Sequence, residues 1–229
     1  MTSFAVCTPS RGTIFEVTVE GIERNRAEAR AAGHEDLGWC TSRDLPIPDC
    51  HNAVAEKALA TGADVLWFVE EDNIAPPGAL LSLLALLETC TIAALDYPVW
   101  TPTGTWSCVC RVTATKAILY CGLGCTLVRR ELFDTLPAPW FDSSAHINIV
   151  RVGDTTVLVP QTSDNPTKYN YGGQDIYFCH RAVQAGFTIR ELEGQTCGHA
   201  RLVKEGREKT NHGTHTIETI DRIEHWQQV

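Results

Sequence analysis

The chain has 229 residues, 44% of them hydrophobic, and a formal net charge of −9. That length and apolar content suit one domain with a full core. The acidic balance argues against a broad nucleic-acid-binding surface, although Arg11, Arg43, Arg111, Arg129 and Arg130 would suffice for a local basic groove.

No run reaches the ~18 apolar residues of a membrane span, and the opening MTSFAVCTPSRG lacks the basic and apolar regions of a signal peptide. The ten cysteines have no regular framework and read as reduced, mostly buried thiols of a cytoplasmic protein. Cys108-x-Cys110 and Cys121-x3-Cys125 lack the matching CxxC set of a structural zinc site.

Residues 4–7 predict a first buried strand, ended by Thr8-Pro9-Ser10-Arg11-Gly12. Phe15, Val19 and Ile22 then give a helix one apolar face, and Gly33 closes it. Such a strand-to-helix turn offers backbone N–H groups, hydroxyls and one Arg to an anion. Residues 37–41 read as a second strand, followed by Ser42-Arg43-Asp44 and a proline-punctuated loop. Asp49 is the expected N-cap of a helix over 50–61, with Val54, Ala55, Ala58 and Leu59 facing inward and Gly62 at its end.

The most informative stretch is 65–80, VLWFVEEDNIAPPGAL. Its apolar start predicts a strand buried on both faces, which runs directly into Glu70, Glu71 and Asp72. Three carboxylates there are costly unless a cation or solvent meets them. Period-two alternation puts Glu70 and Asp72 on one side and Glu71 on the other. Read alone, the run is a solvated acidic turn. Pro76-Pro77-Gly78 ends it, an apolar helix follows over 79–88, and a strand over 92–95 leads to Asp96-Tyr97-Pro98. The βαβαβαβ order predicts a mostly parallel sheet with helices on both faces.

Residues 100–120 suggest a hairpin or mixed-sheet excursion. Gly122 and Gly124 precede a strand, where glycine permits close backbone approach. A short helix covers 129–136, and 142–168 reads as polar loop with a strand near 157–159. In 169–186, Phe178, Cys179, Ala182 and Val183 have helical spacing. Asp175 therefore falls in the first helical turn, where an ionised carboxylate is favoured; alone, it is a helix cap. A strand over 188–192 precedes Cys197-Gly198-His199. Ile217, Ile220, Ile223 and Trp226 form a row that predicts a short helix in the polar tail. His212-x2-His215 is a rival metal pair, read as surface histidines.

Four stretches in one order carry a family resemblance: 65–80, CGLGCTLVRRELFDTLPAPWF at 121–141, GGQDIYFCHRAVQAGF at 172–187 and CGH at 197–199. Together they resemble the nucleotide-sugar glycosyltransferases of the GT-A fold, in the small form found in bacteria and phages. The resemblance spans about residues 4–200. It implies an α/β, Rossmann-like mixed and mostly parallel sheet flanked by helices in a single domain over 1–200. The donor-binding half would be about 1–98 and the acceptor half about 99–200, with 201–229 a tail whose short helix packs on the domain. Three positions depart from the family pattern: Glu70 for Asp, Gln174 for Glu, and His51-Asn52 for Arg-Asn.

The resemblance also assigns roles. Asp72 and His199 would hold Mn²⁺ or Mg²⁺, with Glu70 helping directly or through water. Thr8, Ser10, Arg11, Asp44, Asn52 and Glu71 fall on the donor side. Asp175 would take the acceptor's proton, with inversion favoured. The implied reaction moves a sugar from a nucleotide-sugar, UDP-sugar favoured, to a hydroxyl on a modified base of phage DNA, a protein or a saccharide. No membrane partner is expected, and a phage-encoded enzyme would work in the host cytoplasm. Trp100, Trp106 and Trp140 fall on the acceptor side, as stacking platforms or as packing. The alternative is a non-catalytic nucleotide-sugar binder. A nucleotidyltransferase would need a lysine-bearing glycine-rich loop, and residues 8–13 contain no Lys.

Overall fold

The computed structural model describes residues 1–101, 104–112, 115, 117–143, 147–152, 155–160, 173–211 and 214–226. In chain order the elements begin β1 (Ser3–Thr8), α1 (Glu16–Ala31), β2 (Glu35–Thr41), α2 (Asp49–Ala60), β3 (Val65–Phe68), β4 (Asn73–Ile74) and α3 (Ala79–Leu86). They continue with β5 (Ile92–Asp96), β6 (Pro98–Thr101), β7 (Gly104–Ser107), β8 (Cys110–Arg111), β9 (Ile118–Tyr120), β10 (Thr126–Arg129) and α4 (Arg130–Thr135). The last are β11 (Ile147–Val152), β12 (Thr155–Pro160), α5 (Gln174–Gln184), β13 (Ile189–Thr196), β14 (Gly198–Asn211) and β15 (Thr214–Trp226).

The main sheet has six strands in the order β13-β5-β10-β3-β1-β2. All are parallel except β10, which runs antiparallel between β3 and β5. The expected mixed, mostly parallel sheet flanked by helices is present. β1 and β3 lie inside it, and from Phe4 to Cys7 and from Leu66 to Val69 every side chain is fully buried. This explains why both read as unbroken apolar runs rather than alternating ones. α2 places Val54, Ala55 and Ala58 in the core, as its spacing predicts, and Gly62 (φ +86°) follows its end. Its first residue is Asp49, and no side chain caps it.

Two segments differ from expectation. Residues 147–152 and 155–160 pair antiparallel as β11 and β12, around the single strand expected there. The predicted C-terminal helix is instead a long antiparallel ribbon of β14 and β15. Thr214, Thr216, Ile217, Thr219, Ile220 and Ile223 make this stretch β-branched, a composition that favours strand over the helical spacing of its isoleucines. His212, of the rival metal pair, lies outside the described residues. No helix among the described residues is long and apolar enough to cross a membrane.

Candidate active site at the carboxyl edge of the sheet

Because β1, β3, β5 and β13 are parallel, their carboxyl ends share one edge, the usual place for a ligand in such sheets. β3 stops at Phe68. Val69 still pairs with Cys7, and the Asn73 N–H then returns to the Glu70 carbonyl at 3.1 Å. The acidic run is therefore a turn, not a continued strand. Each of its carboxylates meets a different basic side chain, yet all three line one pocket, where alternation had predicted Glu71 to point away from Glu70 and Asp72.

Glu71 accepts from the Arg11 backbone N–H at 2.7 Å and from Arg11 Nε at 3.0 Å. It thereby ties the loop after β1 to the loop after β3. Asp72 faces His199 across the short β4–β14 pairing, in which His199 lies opposite Asn73 and the Ala200 N–H donates to the Asp72 carbonyl at 2.7 Å. The Asp72 Oδ2 to His199 Nε2 distance is 3.2 Å. Glu70 Oε1 lies 3.2 Å from Nε2 of His51, whose side chain is only 2% exposed. Arg11, His51, Glu70, Glu71, Asp72 and His199 line one open pocket.

The His199 ring has a defined tautomer. Its Nδ1 is 2.7 Å from the Pro98 carbonyl, which can only accept, so Nδ1 carries a proton. In the neutral ring Nε2 is then an acceptor facing the Asp72 carboxylate, and something positive must lie between them. A proton serves: burial disfavours the charged imidazole, but Asp72 outweighs it and raises the His199 pKa. A divalent cation serves equally, because a ligating histidine usually has its other nitrogen held by a carbonyl in this way. The 3.2 Å separation also resembles the ~3 Å between neighbouring ligands of an octahedral ion with bonds of about 2.1 Å. The residues fit such an ion. Among the described residues, no three His, Cys, Asp or Glu side chains form a complete cage.

Asp175 lies in the first turn of α5. Its Oδ1 accepts the Ile176 N–H at 2.8 Å and sits over Gly173, where an added Cβ would be 2.4 Å away. Its position at a helix start favours the ionised form, but burial and then the nearby Glu70 carboxylate prevail and push its pKa up to about 6. His51 and Tyr97 also interact electrostatically with it, and the Tyr97 ring packs edge-on to His199 at 5.4 Å. Asp175 thus interacts with Glu70, His51 and Tyr97.

The other donor-side residues are placed by bonds within the chain or on its surface. Thr8 and Ser10 are buried, with the Thr8 hydroxyl bonded to Trp39 Nε1 at 2.9 Å and the Ser10 hydroxyl to the Gly12 N–H at 3.0 Å, so both hydroxyls shape the loop. Asn52 is a structural clasp, with Oδ1 accepting from the backbones of Trp140 and Phe141 and Nδ2 donating to the Phe141 carbonyl. Asp44 is exposed on its loop at φ +59°, outside the pocket lining. Trp140 is core packing, its Nε1 bonded to the Phe133 and Leu136 carbonyls. The side chains of Trp100 and Trp106 lie outside the described set.

Sequence reasoning underweighted three residues. His51 shares the inward face of α2 with Val54, Ala55 and Ala58, and a polar residue on that face was the signal. Tyr97 and Asn73 pack against the two glycines: a Cβ on Gly122 would lie 2.0 Å from the Tyr97 hydroxyl, and one on Gly124 would lie 2.4 Å from Asn73 Oδ1.

No protein-family model matches the chain, and no curated protein is similar to it in sequence. Among solved structures, the crystal structure of A197 from STIV is similar, with a TM-score of 0.52 at 16% identity. That match covers 87% of this chain and 85% of A197. At that identity the likeness concerns the fold.

Proposed function

We propose that the protein is a metal-dependent glycosyltransferase of the GT-A type, moving a sugar from a nucleotide-sugar, UDP-sugar favoured, to a hydroxyl acceptor. The observation that carries this reading is the Asp72–His199 pair, two acceptors 3.2 Å apart at the carboxyl edge of the sheet, with Asp175 interacting with the neighbouring Glu70. A bound Mn²⁺ or Mg²⁺ would neutralise the leaving diphosphate as a Lewis acid. Asp72 Oδ2 and His199 Nε2 would hold it, with the remaining ligands supplied by phosphate and water. The Pro98 carbonyl fixes the His199 ring for that task.

Arg11, clamped by Glu71, presents its guanidinium at the pocket mouth towards the donor's anionic portion. Asp175 accepts the acceptor's hydroxyl proton. A pKa of about 6 keeps it mostly ionised at neutral pH while leaving it more basic than an ordinary carboxylate, as a general base requires. An in-line, inverting displacement follows from a base on the acceptor side. The strand order, with one antiparallel strand beside β3, supports the GT-A assignment. The acceptor hydroxyl belongs to a modified nucleobase, a protein side chain or a saccharide.

The test is Mn²⁺-dependent hydrolysis of a panel of UDP- and GDP-sugars, with thermal shifts in parallel. The reading expects one donor to be hydrolysed with Mn²⁺ and to raise the melting temperature. Asp72→Ala should lose both the turnover and the Mn²⁺-dependent shift. Clear donor binding without turnover for every sugar would favour the non-catalytic binder, and neither binding nor turnover would sink both readings.

A further inference from the structure

Glu70 belongs to the acidic run, yet its surroundings set it apart from Asp72. Its Oε1 is held by His51 Nε2 at 3.2 Å, and the other ring nitrogen, Nδ1, lies 3.4 Å from Cys50 Sγ. The His51 side chain is 2% exposed and that of Glu70 23% exposed. His51 Nε2 and Glu70 Oε1 thus form a hydrogen-bonded pair whose inner member is buried. Moving Glu70 onto a metal ion would leave the His51 ring nitrogen, 2% exposed, without its partner, whereas the partner of Asp72 is the more exposed His199.

The pair is central to the cleft. Arg11, Tyr97, Asp175 and His199 all interact electrostatically with Glu70. The His51 ring also packs on Phe141 at 5.4 Å, and Phe141 stacks on Phe178 of α5 at 4.7 Å. The same helix carries Asp175. Asn52, the next residue, clasps the Phe141 backbone.

We propose that His51 is a positioning residue: from the buried face of α2 it holds Glu70 in the cleft as an acceptor for a hydroxyl of a polyhydroxylated ligand, and so keeps Glu70 off the metal ion. Glu70 Oε2, which has no partner among the described residues, is the oxygen that would receive this hydroxyl. The ligand class rests on the transferase reading; the pair itself does not.

Two measurements need no substrate. In the ligand-free protein, the His51 Nε2–H should appear as a downfield, slowly exchanging imidazole proton that moves on Glu70→Gln; a solvent-averaged signal unaffected by that substitution overturns the pair. Mn²⁺ titrated alone should bind Glu70→Gln within about threefold of the unaltered chain and should fail to bind Asp72→Ala. Loss of Mn²⁺ binding in Glu70→Gln would make Glu70 a ligand and overturn the proposal.

With an active donor, His51→Leu and Glu70→Gln should each lower kcat/KM by ~10²-fold. The double variant should fall within about threefold of the weaker single variant, since both changes remove one interaction. His51→Gln, which keeps an N–H donor near the same place, should recover at least about tenfold. Losses that multiply in the double variant, or no recovery with Gln, overturn the positioning role. If no donor is turned over by the unaltered chain, the transferase reading fails, while the imidazole signal and the Mn²⁺ titrations still decide the pair.

Discussion

Asp175 is held between opposing influences, and their balance can be read from its pH behaviour. The Ile176 N–H and His51 favour its ionised form, but burial and Glu70 oppose it more strongly, so its pKa stands near 6. A base works only when deprotonated, so turnover should rise with pH through about 6, and Glu70→Gln should move that acid limb downwards by removing a neighbouring negative charge. Asp175→Asn should keep donor binding while kcat falls by roughly 10² or more. The stability effect has the opposite sign. A carboxyl whose folded pKa is raised stabilises the fold below its ordinary value near 4, and that contribution is lost as pH rises through about 6. Asp175→Asn should therefore melt higher than the unaltered chain at pH 7.5, and the gain should vanish near pH 4. An unchanged acid limb in Glu70→Gln would show that the two carboxylates do not interact.

At the scale of elements, the segment 121–125 shows how glycine serves the site indirectly. Gly122 and Gly124 lie directly against Tyr97 and Asn73. Tyr97 packs on His199, and Asn73 is the β4 residue paired with it. Gly122→Ala would drive its Cβ into a buried tyrosine ring that has little room to retreat. It should cost about 1–3 kcal/mol in urea unfolding, as overpacking does, and should weaken Mn²⁺ binding by displacing the ring that supports His199. Destabilisation without any change in Mn²⁺ affinity would separate Tyr97 from the metal pair. The glycine pattern was visible in the sequence, but its partners were not, because they come from strands far away in the chain. Likewise, the apolar runs of β1, β3 and β5 and the face of α2 were legible because burial on both sides, or on one side at helical spacing, leaves a local pattern. The internal bonds of Thr8, Ser10 and Asn52 were not legible, since a hydroxyl or amide that closes a loop has the same local signature as one that meets a ligand. The C-terminal ribbon was missed because isoleucines three apart suggested a helix.

For the molecule as a whole, the topology brings together groups that chain order keeps apart. Parallel β1, β3, β5 and β13 end at one edge, α5 starts beside it, and β14 returns to pair with β4 through Gly198 and His199. The Asp72–His199 pair thus joins the turn after β3 to a strand near the far end of the chain. A ligand that binds only the folded arrangement stabilises it in proportion to its occupancy, and here it would do so by fastening that one junction. Mn²⁺ should therefore raise the melting temperature of the unaltered chain and leave that of Asp72→Ala unchanged. Amide exchange should show where the stabilisation acts. The Ala200 N–H, bonded to the Asp72 carbonyl at 2.7 Å, should exchange more slowly with Mn²⁺ present, as should Asn73 and Gly198. Amides around Thr210 and Thr214, at the far end of the β14–β15 ribbon, should change little, because the ribbon joins β4 only through Gly198 and His199 among the described residues. Protection spread evenly along the ribbon, or confined to other histidines, would place the cation elsewhere and detach His199 from Asp72.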